Sequence, residues 1–127
     1  MKAYIVEDYE PMRMILKRVL KKNFPMIKSV GESETAEDAI IKITEFKPDI
    51  ALIDISLPGM DGIELIRTIK PQCKAICILV VTAHEVELYK DKALKAGAHE
   101  IASKADFSGL IKVISDLLER KKTGGCD

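Results

Sequence analysis

Five short apolar runs alternate along this chain with five stretches of helical periodicity, and that alternation leaves few folds open. The first run is Ala3-Tyr4-Ile5-Val6, followed by Pro11, a good first-turn residue, and by Met12, Ile15, Leu16, Val19 and Leu20 at helical spacing. The second run covers residues 27–33 and is the weakest, with Ile27 and Val30 as its strong strand formers. Thr35 then caps a helix carrying Ala36, Ala39, Ile40 and Ile43, which ends near Phe46 before Pro48. Ile50-Ala51-Leu52-Ile53 is the third run, and a Pro58-Gly59-Met60-Asp61-Gly62 turn leads from it into a helix through Ile63, Ile66 and Ile69. Residues 75–81 are apolar except at their start, as a strand covered on both faces should be. Val86, Tyr89 and Ala93 mark a fourth helix that Gly97 stops, Glu100-Ile101-Ala102-Ser103 is the fifth run, and Phe107, Leu110, Ile111, Ile114, Leu117 and Leu118 stripe the last helix. Connections this short require a parallel α/β sheet with right-handed crossovers and helices on both faces, in the flavodoxin-like order 2-1-3-4-5.

A chain of 127 residues holds one domain, here expected over residues 1–120, with residues 121–127 as a flexible polar tail. Twenty basic residues balance twenty acidic ones. That balance argues against nucleic-acid binding by general electrostatics, which needs a basic excess. No apolar run approaches the ~20 residues that span a bilayer. The amino-terminal segment meets an acidic pair too early for a signal peptide, so the expected location is cytoplasmic. The cysteines are an odd set, Cys73, Cys77 and Cys126. With that profile no disulfide framework is expected, Cys77 reads as a small buried hydrophobe, and no further ligands stand at zinc-like spacing.

Ligands in open α/β sheets bind beyond the carboxyl ends of the strands, and those ends carry polar residues here. The first strand runs into Glu7-Asp8, the third into Asp54, the fourth into Thr82 and the fifth into Lys104. Each residue alone has an ordinary explanation as a helix cap or a solvated lysine. Their joint placement does not. In the order 2-1-3-4-5 three carboxylates, a hydroxyl and an ammonium converge on one shallow pocket. Three close carboxylates repel unless a cation joins them, and Mg²⁺ suits such oxygen ligands. A pocket so neutralised can accept a phosphoryl group.

These residues carry a family likeness. Over about residues 2–120 the sequence resembles the response-regulator receiver domain, the CheY-like phosphoacceptor module of two-component signalling, through Ile5-Val6-Glu7-Asp8, residues 49–62 around Asp54, Val81-Thr82-Ala83 and Ser103-Lys104. The resemblance implies that Asp54 takes a phosphoryl group from a phosphohistidine on a sensor histidine kinase. It implies that Glu7, Asp8, Asp54 and the backbone carbonyl of Ser56 hold Mg²⁺, that Lys104 contacts the phosphoryl oxygens, and that Thr82 hydrogen-bonds them and starts the switch. The family's partner face is built from the fourth helix, the fifth strand and the fifth helix, often as a homodimer. Here that face carries Glu87, Lys90, Asp91, Lys92, Lys112 and Asp116. Ser56 and His84 stand where the family tunes the lifetime of the phosphoryl group. Such a chain acts as a single-domain regulator or as the amino-terminal part of a transcriptional regulator, and its downstream target is not legible.

Three departures from the family pattern stand out. Ala105 follows the lysine where many receivers have proline, so a trans bond is expected. Ile101 stands where an aromatic residue usually rotates inward on activation. His99 and Glu100 occupy a stretch that often holds glycine or small polar residues. The competing reading is an aspartyl-phosphate phosphotransferase or phosphatase acting on small phosphoesters. It is weakened because Ser56 stands where such enzymes place a second aspartate as general acid. Flavin binding is weaker still, since Asp8-Tyr9-Glu10-Pro11 is the electrostatic opposite of a phosphate loop.

Overall fold

The fold is seen in a computed structural model that describes residues 1–126. In chain order the elements are β1 (Lys2–Val6), α1 (Glu10–Asn23), β2 (Ser29–Ser33), α2 (Ala36–Phe46), β3 (Ile50–Ile53), α3 (Gly62–Ile69), β4 (Cys77–Thr82), α4 (Val86–Ala96), β5 (Glu100–Ser103) and α5 (Phe107–Lys122). All strand pairs are parallel and the sheet order is β2-β1-β3-β4-β5, as the alternation of runs predicts.

Side chains alternate across the sheet, so each central strand feeds two cores. Tyr4, Val6, Ala51, Ile53, Ile78 and Val80 face α2, α3 and α4, whose Ala39, Ile43, Ile66, Ile69 and Ala93 cover them. Ala3, Ile5, Ile50, Leu52, Cys77, Leu79 and Val81 face α1 and α5, packing on Leu16, Leu20, Leu110, Ile114 and Leu117. A strand buried on both faces cannot show alternation in sequence, which is why these runs read as continuous apolar stretches. Local chemistry starts the helices. Thr35, Asp61 and Asp106 cap α2, α3 and α5 by accepting from the backbone N–H groups of Asp38, Glu64 and Gly109 at 3.1, 2.9 and 2.9 Å. Gly97, at φ 122°, ends α4 in a conformation that a side chain would oppose.

The structure departs from the sequence reading at three places. Strand β2 begins at Ser29 rather than Ile27, because Ile27 and Phe24 turn inward as a buried plug between α1 and the sheet. Helix α5 continues to Lys122, and the chain then folds back. Lys121 Nζ donates to the Ala75 carbonyl at 2.6 Å and Cys126 is buried, so residues 121–126 are held against the domain; Asp127 lies outside the described residues. Most consequentially, Cys77 and Cys126 form a disulfide, with Cα atoms 5.1 Å apart, where no disulfide was expected. They lie 49 residues apart in sequence, and only the antiparallel return of α5 brings the tail to the start of β4. The reading of Cys77 as a buried residue holds, and Cys73 is a free thiol.

Candidate functional site

The backbone ladder extends one residue past the ends of three strands, and that extension places the site. Glu7 N–H donates to the Ser33 carbonyl at 3.1 Å, Asp54 N–H to the Val6 carbonyl at 3.0 Å, and Lys104 N–H to the Thr82 carbonyl at 2.9 Å. Parallel neighbours lie about 4.8 Å apart, so side chains leaving these positions converge. Oxygen atoms of Glu7, Asp8 and Asp54 all lie within 4.8 Å of one another. Glu7 is 1% exposed and Asp54 6%, whereas Asp8 opens to solvent.

Burying two carboxylates requires compensation. Lys104 Nζ forms an ion pair with Glu7 Oε1 and lies 3.2 Å from Asp54 Oδ2. The remaining oxygens accept backbone donors, Glu7 Oε2 from Tyr9 N–H at 3.3 Å and Asp54 Oδ1 from Ser56 N–H at 3.2 Å. One ammonium still faces three acids. The donor set is oxygen only, with neither imidazole nor thiolate in it, which fits a hard divalent cation. The floor is tight because α3 begins against it. A Cβ on Gly62 would stand 2.2 Å from the Asp54 carbonyl oxygen, so glycine is needed there.

Thr82 is fully buried at the end of β4, and its Oγ1 accepts from His84 N–H at 3.0 Å. Across the mouth of the pocket Ser56 Oγ lies 3.1 Å from His84 Nε2, joining the β3–α3 loop to the β4–α4 loop, and the His84 ring packs against Tyr89 with centroids 5.5 Å apart. The structure therefore brings together Glu7, Asp8, Asp54, Thr82 and Lys104 and places Ser56 at their rim. The Lys104–Ala105 bond is trans, as expected for a residue other than proline. Ile101 is buried in the α2/α3/α4 core, while His99 sits at the opposite end of the sheet.

Sequence reasoning missed Arg13. This buried residue of α1 donates from Nη1 to the Glu7 carbonyl at 2.8 Å and from Nε to Glu32 Oε1 at 3.0 Å, fixing the turn that carries Glu7. The signal was present, since Arg13 shares the buried face with Leu16 and Leu20. Glu32 also pairs with Lys17 at 2.5 Å, and that contact, ahead of Arg13, holds its carboxyl below the usual range.

With this geometry in view, comparison with known proteins is decisive. The sequence model of the response regulator receiver domain matches residues 3–115. The chain belongs to that family. The two-component response regulator PhoP of Pseudomonas aeruginosa is 35% identical over 121 residues, covering 94% of this chain and 52% of the relative. A protein-glutamate methylesterase/protein-glutamine glutaminase of Syntrophus aciditrophicus is 35% identical over 109 residues, 84% of this chain and 31% of that protein. The crystal structure of a LuxR-family two-component response regulator from Aurantimonas superposes with a TM-score of 0.85 at 32% identity, covering 93% of this chain and 84% of that one. This receiver domain thus spans about half, or less, of the curated relatives it matches here. Among its described residues no helix is long and apolar enough to cross a membrane.

Proposed function

We propose that this receiver domain takes a phosphoryl group from a sensor histidine kinase onto Asp54 in a Mg²⁺-dependent reaction and relays the signal by a change of shape. The observation that carries the proposal is Lys104, whose ammonium bridges Glu7 and Asp54 inside a cluster of three acids. Glu7, Asp8, Asp54 and the backbone carbonyl of Ser56 are the metal-holding groups. When bound there, Mg²⁺ supplies positive charge against the acids and the incoming phosphoryl oxygens. In the transfer an Asp54 carboxylate oxygen bonds to phosphorus while the P–N bond of the phosphohistidine breaks, and the bonding pair stays on the imidazole nitrogen, which takes up a proton. Lys104 then turns from the Asp54 carboxylate to the phosphoryl oxygens, and the Thr82 hydroxyl moves from its bond with His84 N–H towards them. Transfer of this kind needs positioning and charge neutralisation more than covalent assistance.

The domain is read as a signalling phosphoacceptor that catalyses its own phosphorylation and loses the group slowly. Ser56, where a hydrolase would place a general acid, supports that slow loss. The kinase and this domain meet in the cytoplasm. The downstream partner is an output domain or a separate protein, and the balanced charge supports no direct contact of this domain with nucleic acid. Helices α4 and α5 expose Leu88, Leu94 and Phe107 among their charges, and the proposed homodimer contact runs through the α4, β5 and α5 face.

Intact mass after incubation with acetyl phosphate and Mg²⁺ tests the chemistry. One added phosphoryl group is expected on the wild type, and none on Asp54→Asn or without Mg²⁺. An adduct on Asp54→Asn would move the acceptor elsewhere, and no adduct on folded wild type would make this a receiver that signals by binding alone.

A further inference from the structure

The amino-terminal end of the sheet carries a second chemistry that the pocket does not use. Cys77 opens β4 and is fully buried, and its disulfide partner Cys126 lies beyond the end of α5. The residues just before Cys126 are different in kind, since 122–125 are all exposed and include Gly124 and Gly125. Cys126 is therefore a single buried residue at the end of a solvent-washed, glycine-containing segment. The backbone N–H groups of Thr123 and Gly125 donate to the Arg120 carbonyl at 3.1 and 2.8 Å and that of Gly124 to the Lys121 carbonyl at 3.2 Å, so much of the segment's bonding runs back to the end of α5. Lys70 Nζ donates to the Cys126 carbonyl at 2.9 Å, but it also serves the carbonyls of Lys74 and Ile76 at 2.7 and 3.1 Å, and Arg120 Nη2 reaches the Gly125 carbonyl at 3.3 Å.

A domain of this size with two complete apolar cores does not need a covalent staple to fold. Within the folded state the bond decides whether residues 123–126 lie against the sheet or leave it. A segment whose one buried residue is Cys126 opens without global unfolding, which brings the Cys126 sulfur within reach of small thiols while Cys77 stays packed beneath α5. We infer that Cys77 and Cys126 form a reversible thiol–disulfide site, exchanging with small-molecule disulfides and thiols, which latches the segment after α5 onto the start of β4.

In the closing direction the Cys126 thiolate attacks one sulfur of a small-molecule disulfide, and that reagent's S–S bond breaks to release a first thiolate. The Cys77 thiolate then attacks Cys126 Sγ in the mixed disulfide and releases a second. Two protein thiols are oxidised, one external disulfide is reduced, and the two protons pass to the released thiolates. Opening is the reverse, driven by excess external thiol. The inference is independent of the phosphoryl-transfer reading, because the latch and the acidic pocket lie at opposite ends of β4.

The test equilibrates the full chain across ratios of reduced to oxidised glutathione. Each sample is acid-quenched, alkylated under denaturing conditions and weighed intact, with backbone hydrogen exchange followed in parallel. One alkylated cysteine, Cys73, is expected at the oxidised end and three at the reduced end. Exchange at residues 123–126 should rise at least about tenfold on reduction, while β1 and β3 remain strongly protected. Cys126→Ser should show the fast exchange at every ratio. Three alkylations throughout would mean that the disulfide does not form. One throughout, even in reduced glutathione alone, would make it a permanent staple. Unchanged exchange at 123–126 on reduction, or slow exchange in Cys126→Ser, would remove the latch. Any of these overturns the inference.

Discussion

The two ends of the sheet are built from the same strands by opposite means. At the amino end the incoming chain is stitched by backbone bonds, Lys28 N–H to Met1, Asp49 to Lys2, Cys77 to Asp49 and His99 to Ile78, all between 2.8 and 2.9 Å, and the disulfide adds a covalent tie. At the carboxyl end the outgoing chain diverges, since β1 leads to α1 on one face while β3 leads to α3 on the other. The last ladder bonds bring Glu7, Asp54 and Lys104 to the crevice left between them, and charge organises the side chains that line it. One end is thus arranged for holding, and the other carries unbalanced charge that a ligand can complete. A fold of parallel strands sets this polarity because every strand points the same way.

The sharpest way to break that comparison is Asp54→Asn. Phosphorylation by acetyl phosphate should vanish in intact mass, while thermal unfolding should show stability within about 1 kcal/mol of wild type, since losing the Lys104 pair is offset by relieving one of three close acids. At the holding end the sign should reverse. Cys126→Ser should leave the phosphoryl adduct intact yet lower stability by up to about 4 kcal/mol in denaturant titration under oxidising conditions, the loop-closure term for a bridge of this span. Equal effects of the two substitutions on either readout would abolish the division between the ends.

Lys104→Met sharpens the electrostatic half. It strips the counter-charge from two buried carboxylates, so without Mg²⁺ it should cost about 3 kcal/mol, much of which added Mg²⁺ should restore. A cost that Mg²⁺ cannot reduce would mean that the acids do not share a cation. Asp8→Asn removes one exposed charged ligand and should weaken Mg²⁺ about tenfold by calorimetry, with little change in fold. The smallest effect belongs to His99, whose imidazole is held below its ordinary value of 6.5 first by burial and then by Lys70. Its neutral form is favoured in the folded state, so the contribution is whole above about pH 6.5 and fades as pH falls towards the depressed value. His99→Gln should flatten that part of the stability–pH curve and leave Mg²⁺ binding unchanged.

Much of the site was legible because its chemistry sits at recognisable punctuation. Glu7-Asp8, Asp54, Thr82 and Lys104 each follow an apolar run, and sheet order then brings them together. Arg13 was overlooked because it reads as one more charge on a basic helix; its spacing with Leu16 and Leu20 marks the buried face, but the packing of α1 decides that it reaches the Glu7 carbonyl. The Ser56–His84 contact was hidden for a related reason: both residues were noted, but loop geometry alone decides that their side chains meet.

By itself the sequence determined the elements, their parallel order and the set of polar residues at the carboxyl ends, because apolar periodicity and short connections admit one arrangement. The tertiary structure alone decided which charges meet, where Lys104 divides its pairing between Glu7 and Asp54, and that Cys126 reaches Cys77. Periodicity is a local property written every two or four residues. A contact across 49 or 97 residues depends on how whole elements return through space.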